Sequence, residues 1–174
     1  MSGTAQRWEP SDVWKALGSG DDPIIEVERR ARRVLRGRRI IVWEGDAQTF
    51  QFSHVGADAE VLLGYAVERW TTEPTFWADH VVHDEDRDEA IAYCALATGR
   101  KQNHEFEYRA RTREGSVVWL YDVVTVVVGP RGIPVRLRGI MIDITEDKRL
   151  DGTVDGRPAI RKPTRESLGA SADG

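Results

Sequence analysis

Apolar and polar positions along this chain repeat with two different periods, and the places where the period changes outline its elements. From Asp21 to Arg36 the apolar residues Ile24, Val27, Ala31, Val34 and Leu35 recur every three to four positions, the spacing of one helix face. Asp21 or Asp22 can cap the start, Pro23 suits the first turn and Gly37 can end it, which predicts an amphipathic helix over 21–37. Its other face is basic, with Arg29, Arg30, Arg32, Arg33 and Arg36 running on into Arg38 and Arg39. Two β-rich runs follow, Ile40 to Trp43 and Thr49 to Val55, and the turn residues Glu44-Gly45-Asp46-Ala47 between them predict a hairpin. Short helical pieces come next: Ala57 to Leu63 stopped by Gly64, a segment around Val67 to Trp70, and Thr72 to Val81 with Pro74 in its first turn. Asp84 to Thr98 reads as a longer helix, acidic in its first turn and followed by Gly99.

Three strands then close the pattern: Asn103 to Arg113, Ser116 to Val128 and Val135 to Thr145, joined by short Gly-containing turns that favour antiparallel neighbours. The expected fold class is α+β, a five-stranded antiparallel sheet with its helices in the middle of the chain and an amphipathic helix in front. Residues 1–20 show no sustained period and are expected to form a flexible arm. From residue 151 to 174 Gly, Pro and Ser accumulate, which predicts a disordered tail behind a domain spanning 38–150.

The strands differ in how many faces they bury. In Asn103 to Arg113, His104, Phe106, Tyr108 and Ala110 alternate with Glu105, Glu107, Arg109 and Arg111, so one face is aromatic and the other charged. In Ser116 to Val128 both sides are apolar, Val118, Leu120 and Val124 against Trp119, Tyr121 and Val123, and the last strand repeats this. Such a sheet needs cover on two sides, from the central helices and from a second source. The helix over 21–37, this chain's own or a partner subunit's, is the expected second source.

Composition narrows the function classes. With 174 residues and 40% hydrophobic content the chain holds one ordinary domain, and a net charge of -4 gives no bulk attraction to nucleic acid or anionic membrane. The single cysteine, Cys94, excludes an internal disulfide framework and a cysteine-built zinc site, and suits a reducing compartment. No apolar run approaches a membrane span, so a soluble cytoplasmic protein is expected. The chain has no nucleophile elbow, zinc-protease helix or phosphate-cradling loop, and no enzyme is expected.

Several segments resemble the PAS domain, in the variant common in bacterial sensor kinases. They are Val55-Gly56-Ala57-Asp58-Ala59-Glu60-Val61-Leu62-Leu63-Gly64-Tyr65, His83-Asp84-Glu85-Asp86-Arg87, Phe106 to Arg111 with Glu114 to Leu120, and Gly139 to Lys148 with its Asp-x-Thr-Glu ending. The resemblance covers Ile40 to Lys148 nearly continuously. It implies a sheet cupping a pocket under the helices, which senses a small molecule or mediates protein contacts. By position in the resemblance, Phe52, Leu62, Phe76, Trp77, His104, Phe106, Tyr108, Leu120, Asp122 and Met141 are expected to line that pocket, with Tyr108, His104 and Asp122 as its polar handles.

A homodimer or partner face is expected at Ile24, Val27, Ala31, Val34, Leu35, Trp119, Tyr121, Ile140 and Ile142, with Asp143 and Thr145 relaying the signal. A histidine kinase is the type of downstream partner implied. Two departures from the family pattern stand out: Asp84 replaces the usual proline, and Leu150-Asp151-Gly152-Thr153 is loop chemistry where a coiled coil normally leads to an output domain. The signal is therefore expected to leave by partner binding or dimer rearrangement.

Cofactors are disfavoured. The long helix, where haem-binding relatives carry their axial histidine, has none; His80 or His83 is the least unsuitable substitute. Flavin photochemistry needs an Asn-Cys-Arg context that is absent, and Cys94 falls on an apolar helix side, where a thiol acts as a small hydrophobe. No metal site is expected. The arginine run Arg29 to Arg39 is the feature that suits a nucleic-acid contact, against the plainer alternative of a solvated helix face. An empty protein–protein adaptor is the other alternative.

Overall fold

Five strands form one antiparallel sheet in the order β2-β1-β5-β4-β3 in the computed structural model, which describes residues 8–160. They are β1 (Ile40–Asp46), β2 (Phe52–Val55), β3 (His104–Arg111), β4 (Val117–Val128) and β5 (Pro134–Asp143). Between β2 and β3 lie α3 (Asp58–Leu63), α4 (Val67–Thr72), a π-helical turn at Trp77–Val81 and α5 (Arg87–Gly99). The expected α+β class holds. Register puts Trp43 opposite Gly139, Gly139 opposite Val124, and Val124 opposite His104, so these four share the inner face.

The first correction concerns the N-terminal arm. Pro10–Leu17 is a helix, α1, and not a loose segment. Pro10 stands in its first turn, the Glu9 N–H donates to Asp12 Oδ2 at 3.2 Å, and Val13, Ala16 and Leu17 bury one side. Eight residues are too few for the periodicity to stand out, and the helix depends on tertiary contacts. The next helix, α2 (Ile24–Val34), is shorter than the expected 21–37. Asp22 does not cap it. Its carboxylate instead takes Arg30 at 2.8 Å, while Arg30 Nε donates to the Ala16 carbonyl at 3.0 Å, clamping α1 to α2.

The second correction is to the proposed partner face. Val13, Ala16, Leu17, Val27, Ala31 and Leu35 pack onto Ile40, Val42, Trp119, Val123, Ile140 and Ile142 of the outer sheet face. Trp119 is 1% exposed, and Ile140 and Ile142 are fully buried. Tyr121 is half-buried beside the Trp8 ring, 5.2 Å between centroids, and Ile24 and Val34 sit at the margin of the cluster. The expected dimer surface is thus filled by this chain's own helices. The link from Val34 to Ile40 is short enough to fold α2 back onto the strand it precedes, and each Val or Leu so buried contributes about 1.5–3 kcal/mol.

The edge of β3 is closed by the segment before α5, where the His83 N–H donates to the Arg109 carbonyl at 2.9 Å. Asp86, 2% exposed, accepts from the Arg109 backbone N–H at 2.9 Å and from its guanidinium at 3.0 and 2.6 Å. Arg109 therefore serves the start of α5, while Glu107, on the same charged face of β3, takes Lys148 at 2.6 Å. Asp84, which stands where the family pattern has proline, accepts from the Arg87 side chain at 2.9 Å. Beyond β5, α6 (Thr145–Leu150) leads to a turn at which the Trp119 Nε1–H donates to the Val154 carbonyl at 2.9 Å. The start of the expected tail is thus packed on the sheet, and residues 161–174 lie outside the described residues. No described helix is long and apolar enough to cross a membrane.

Candidate functional site

A hollow of about 220 Å3 lies between the inner sheet face and the α4–α5 region, and all five strands contribute to its wall. Of the expected lining residues, Phe52, Phe76, Trp77, His104 and Asp122 border it. Leu62, Phe106, Tyr108, Leu120 and Met141 do not. They are buried in the core around it, Leu62 on α3 and the other four on the strands. The sequence reading missed Trp43, Trp70, Val124 and Leu137, which also form the wall. Trp43 ends an unbroken apolar run, so alternation assigns it no face; the small residue opposite it, Gly139, was the available signal.

One hydrogen-bonded chain ties the wall together. Trp77 Nε1–H donates to Tyr108 OH at 3.0 Å, Tyr108 OH donates to Asp122 Oδ2 at 3.0 Å, and Trp43 Nε1–H donates to Asp122 Oδ1 at 3.1 Å. Asp122 is 2% exposed. Burial pushes its carboxyl up to about 7, against the opposing pull of the bonds from Trp43 and Tyr108. Burial and the neighbouring Asp122 hold the Tyr108 hydroxyl well above its ordinary range.

His104 moves the other way, down to about 4, because burial disfavours the imidazolium. Its Nδ1 lies 3.0 Å from the Gln102 carbonyl, so Nδ1 carries the proton and Nε2 is left as a buried acceptor without a partner among the described residues. Trp70 Nε1–H is likewise buried and unpartnered. Cys94 is half-buried, with its thiol enclosed and pushed up by burial. A protonated thiol is a poor nucleophile.

Towards solvent the rim carries Asp46, Thr49, Phe50, Glu73 and Thr75. Phe50 (φ 60°) and Thr75 (φ 58°) both adopt the left-handed region without being glycine. Such strain collects where structure over-determines a loop, and here both strained residues border the same opening.

The residues do not fit the larger cofactors. A hollow of about 220 Å3 falls below the roughly 300–1,000 Å3 that drug-sized ligands occupy, too small for a flavin or a haem. No group of three or more His, Cys, Asp or Glu side chains suited to a metal ion occurs among the described residues. The arginine run is largely committed to carboxylates of this chain: Arg29 to Glu26, Arg30 to Asp22, Arg32 to Asp58, and Arg38 in a two-pronged pair with Asp147.

A five-stranded antiparallel sheet enclosing a small, mostly apolar hollow beneath short helices is the build of a signal-sensing module. A family model for the PAS fold matches residues 52–141, and the chain belongs to that family. Among solved structures it is similar to the N-terminal domain of a diguanylate cyclase with PAS/PAC sensor from Marinobacter aquaeolei, at 34% identity, over 62% of this chain and 97% of that one, with a TM-score of 0.58. It also shares its fold with a domain of a putative light and redox sensing histidine kinase from Haloarcula marismortui (22% identity, 67% and 98% covered, TM-score 0.57). A sensory box histidine kinase/response regulator from Burkholderia thailandensis is a third (21%, 74% and 92%, 0.57). No curated protein sequence matches the chain. PAS domains are typically sensory, non-catalytic modules.

Proposed function

We propose that this chain is a non-catalytic cytoplasmic sensor that takes a small molecule into its hollow and passes occupancy to the end of the sheet and on to a protein partner. The observation that carries this is the position of Asp122. It gathers the hollow's wall from β1 and β3, and it sits on β4 only three residues from Trp119, whose backbone N–H donates to Thr145 Oγ1 at 3.0 Å. Thr145 in turn is fixed by Asp143, whose Oδ1 accepts from the Thr145 N–H at 3.0 Å and from its hydroxyl at 2.6 Å. A shift of β4 at the hollow therefore bears on the junction where the chain leaves the sheet. Thr145→Val is expected to cost roughly 1–2 kcal/mol in urea unfolding and to speed hydrogen exchange of the Trp119 amide. Unchanged exchange there would remove Asp143 and Thr145 from the relay.

Native mass spectrometry of the purified chain tests the ligand part. A single small adduct, lost on denaturation and lost in a folded Cys94→Phe variant that fills the hollow, is the expected result. An adduct retained by that variant places the molecule elsewhere.

Partner contact, as a homodimer or with a histidine kinase, uses the outer face in this reading, and it requires α1 and α2 to lift first. Leu17→Asp, which puts a charge into the buried contact of α1, is expected to raise self-association in sedimentation runs. A variant that stays monomeric at tens of micromolar counts against a dimer on that face.

A further inference from the structure

Of the three acidic residues that line the hollow, Asp46, Glu73 and Asp122, only Asp122 is buried, and no Lys or Arg stands beside it among the described residues. Asp122 borders it, bonded to Trp43 and Tyr108 alone, and it pairs with no Lys, Arg or His among the described residues. Each carboxylate oxygen accepts one hydrogen bond and keeps a further lone pair. Buried carboxylates are as a rule paired or neutral, so this group lacks the partner that its ionised form needs.

The other charged groups at the hollow are already engaged. Glu73 is held by Arg69 at 2.8 and 3.1 Å, and Asp46 accepts from the Gln48 and Thr49 N–H groups of its own turn. His104 stays neutral at ordinary pH, and Cys94 and Tyr108 stay protonated. No lysine or arginine borders the hollow among the described residues. An anionic ligand would meet no positive charge there, only the neutral Trp70 Nε1–H.

Much of the remaining wall is aromatic, and Ile91, Ala95, Val124 and Leu137 complete it. Trp43 and Phe52 meet at 61°, Phe52 and Trp70 at 83°, with centroids 5.2 and 5.3 Å apart, so the rings present faces as well as edges. Ring faces attract organic cations, and more strongly where water is excluded.

We propose that the hollow binds a small organic ammonium ion bearing a single ring, with its nitrogen at Asp122 and its ring among Trp43, Phe52, Trp70 and Phe76. The volume of about 220 Å3 sets the one-ring limit. This rests on the reading of the hollow as a ligand chamber and adds the class of ligand. Binding replaces the Asp122 proton with the ligand's charge, and that proton passes to solvent.

The test is a size-matched series titrated into the full chain by calorimetry: 2-phenylethylamine, 2-phenylethanol and 3-phenylpropionate. The amine is expected to bind roughly tenfold to hundredfold more tightly than the alcohol, the range of a hydrogen bond to a charged partner, and the acid not to bind. Amine affinity should rise about tenfold from pH 6 to pH 8 as Asp122 ionises, with no such rise for the alcohol. Asp122→Asn should bring amine and alcohol to similar affinity; the pH comparison on the unmodified chain serves if that variant does not fold. Equal binding of amine and alcohol, or a flat pH profile for the amine, overturns the ammonium assignment and leaves the chamber standing. Binding that survives Cys94→Phe, or no binding by any of the three, overturns the assignment and counts against the chamber as well.

Discussion

Gly139→Ala is expected to destabilise the protein by about 3 kcal/mol or more, because overpacking and a lost buried hydrogen bond act together. A Cβ at Gly139 would lie 2.3–2.4 Å from Trp43 Cε2, Cζ2 and Nε1, where no contact is tolerated. Trp43 stands on β1, and to reach Asp122 on β4 its indole must cross β5 at this one position. A methyl group there pushes the ring off, and Asp122 loses its bond from Nε1. Urea unfolding followed by circular dichroism gives the loss. Trp43→Leu made in the Gly139→Ala background should recover part of it, as coupled neighbours do. An alanine variant as stable as the parent would show that the indole has another place to lie.

The second large effect is a pH dependence hidden by cancellation. Asp122 has its carboxyl raised from the ordinary 3.8 to about 7 in the folded chain, so its contribution to stability is full below 3.8 and lost as pH rises through 7. His104, lowered from 6.5 to about 4, contributes in the opposite sense, fully above 6.5 and lost as pH falls through 4. Between about 4 and 6.5 the unfolded chain carries its proton on His104 and the folded chain carries it on Asp122. The two states bind equal numbers, and these groups together leave stability flat.

Removing either partner exposes the other. Asp122→Asn should become more stable as pH rises from 4 to 6.5, by about 3 kcal/mol, and His104→Gln should become less stable from 4 to 7, by about 4 kcal/mol, at about 1.4 kcal/mol for each pH unit. Both are read against the parent at matched pH by urea titration. Parallel slopes in the two variants would contradict opposed titrations in the hollow.

How much of this was legible in the chain depends on the range of the interactions. His104, Phe106 and Tyr108 announce an inward face because strand alternation is local, and Gly64, at φ 85°, ends α3 as its position suggested. Which of those inward residues border open space was not legible. Phe106 and Leu120 follow the same alternation as Asp122, yet they are core, because depth is set by where α4 and α5 land on the sheet. Trp43 was missed since its run is apolar on both faces, and only its register against Gly139 gives it a direction.

The outer face shows the same division. Its sequence demanded a cover, and α2 carried a stripe that matched; the choice between this chain's helix and a partner's rested on how α1, the Arg30–Asp22 clamp and the short link into β1 pack in three dimensions. Periodicity and turn chemistry are written in neighbouring residues, and from them came the five strands, the helices α2 to α5 and the antiparallel pairing, while the motif segments carried the likeness to the PAS fold. The hollow, the buried Asp122 with no ionic partner among the described residues and the self-covered sheet arise between residues far apart in the chain, such as Trp43 and Asp122, and only folding brings those together.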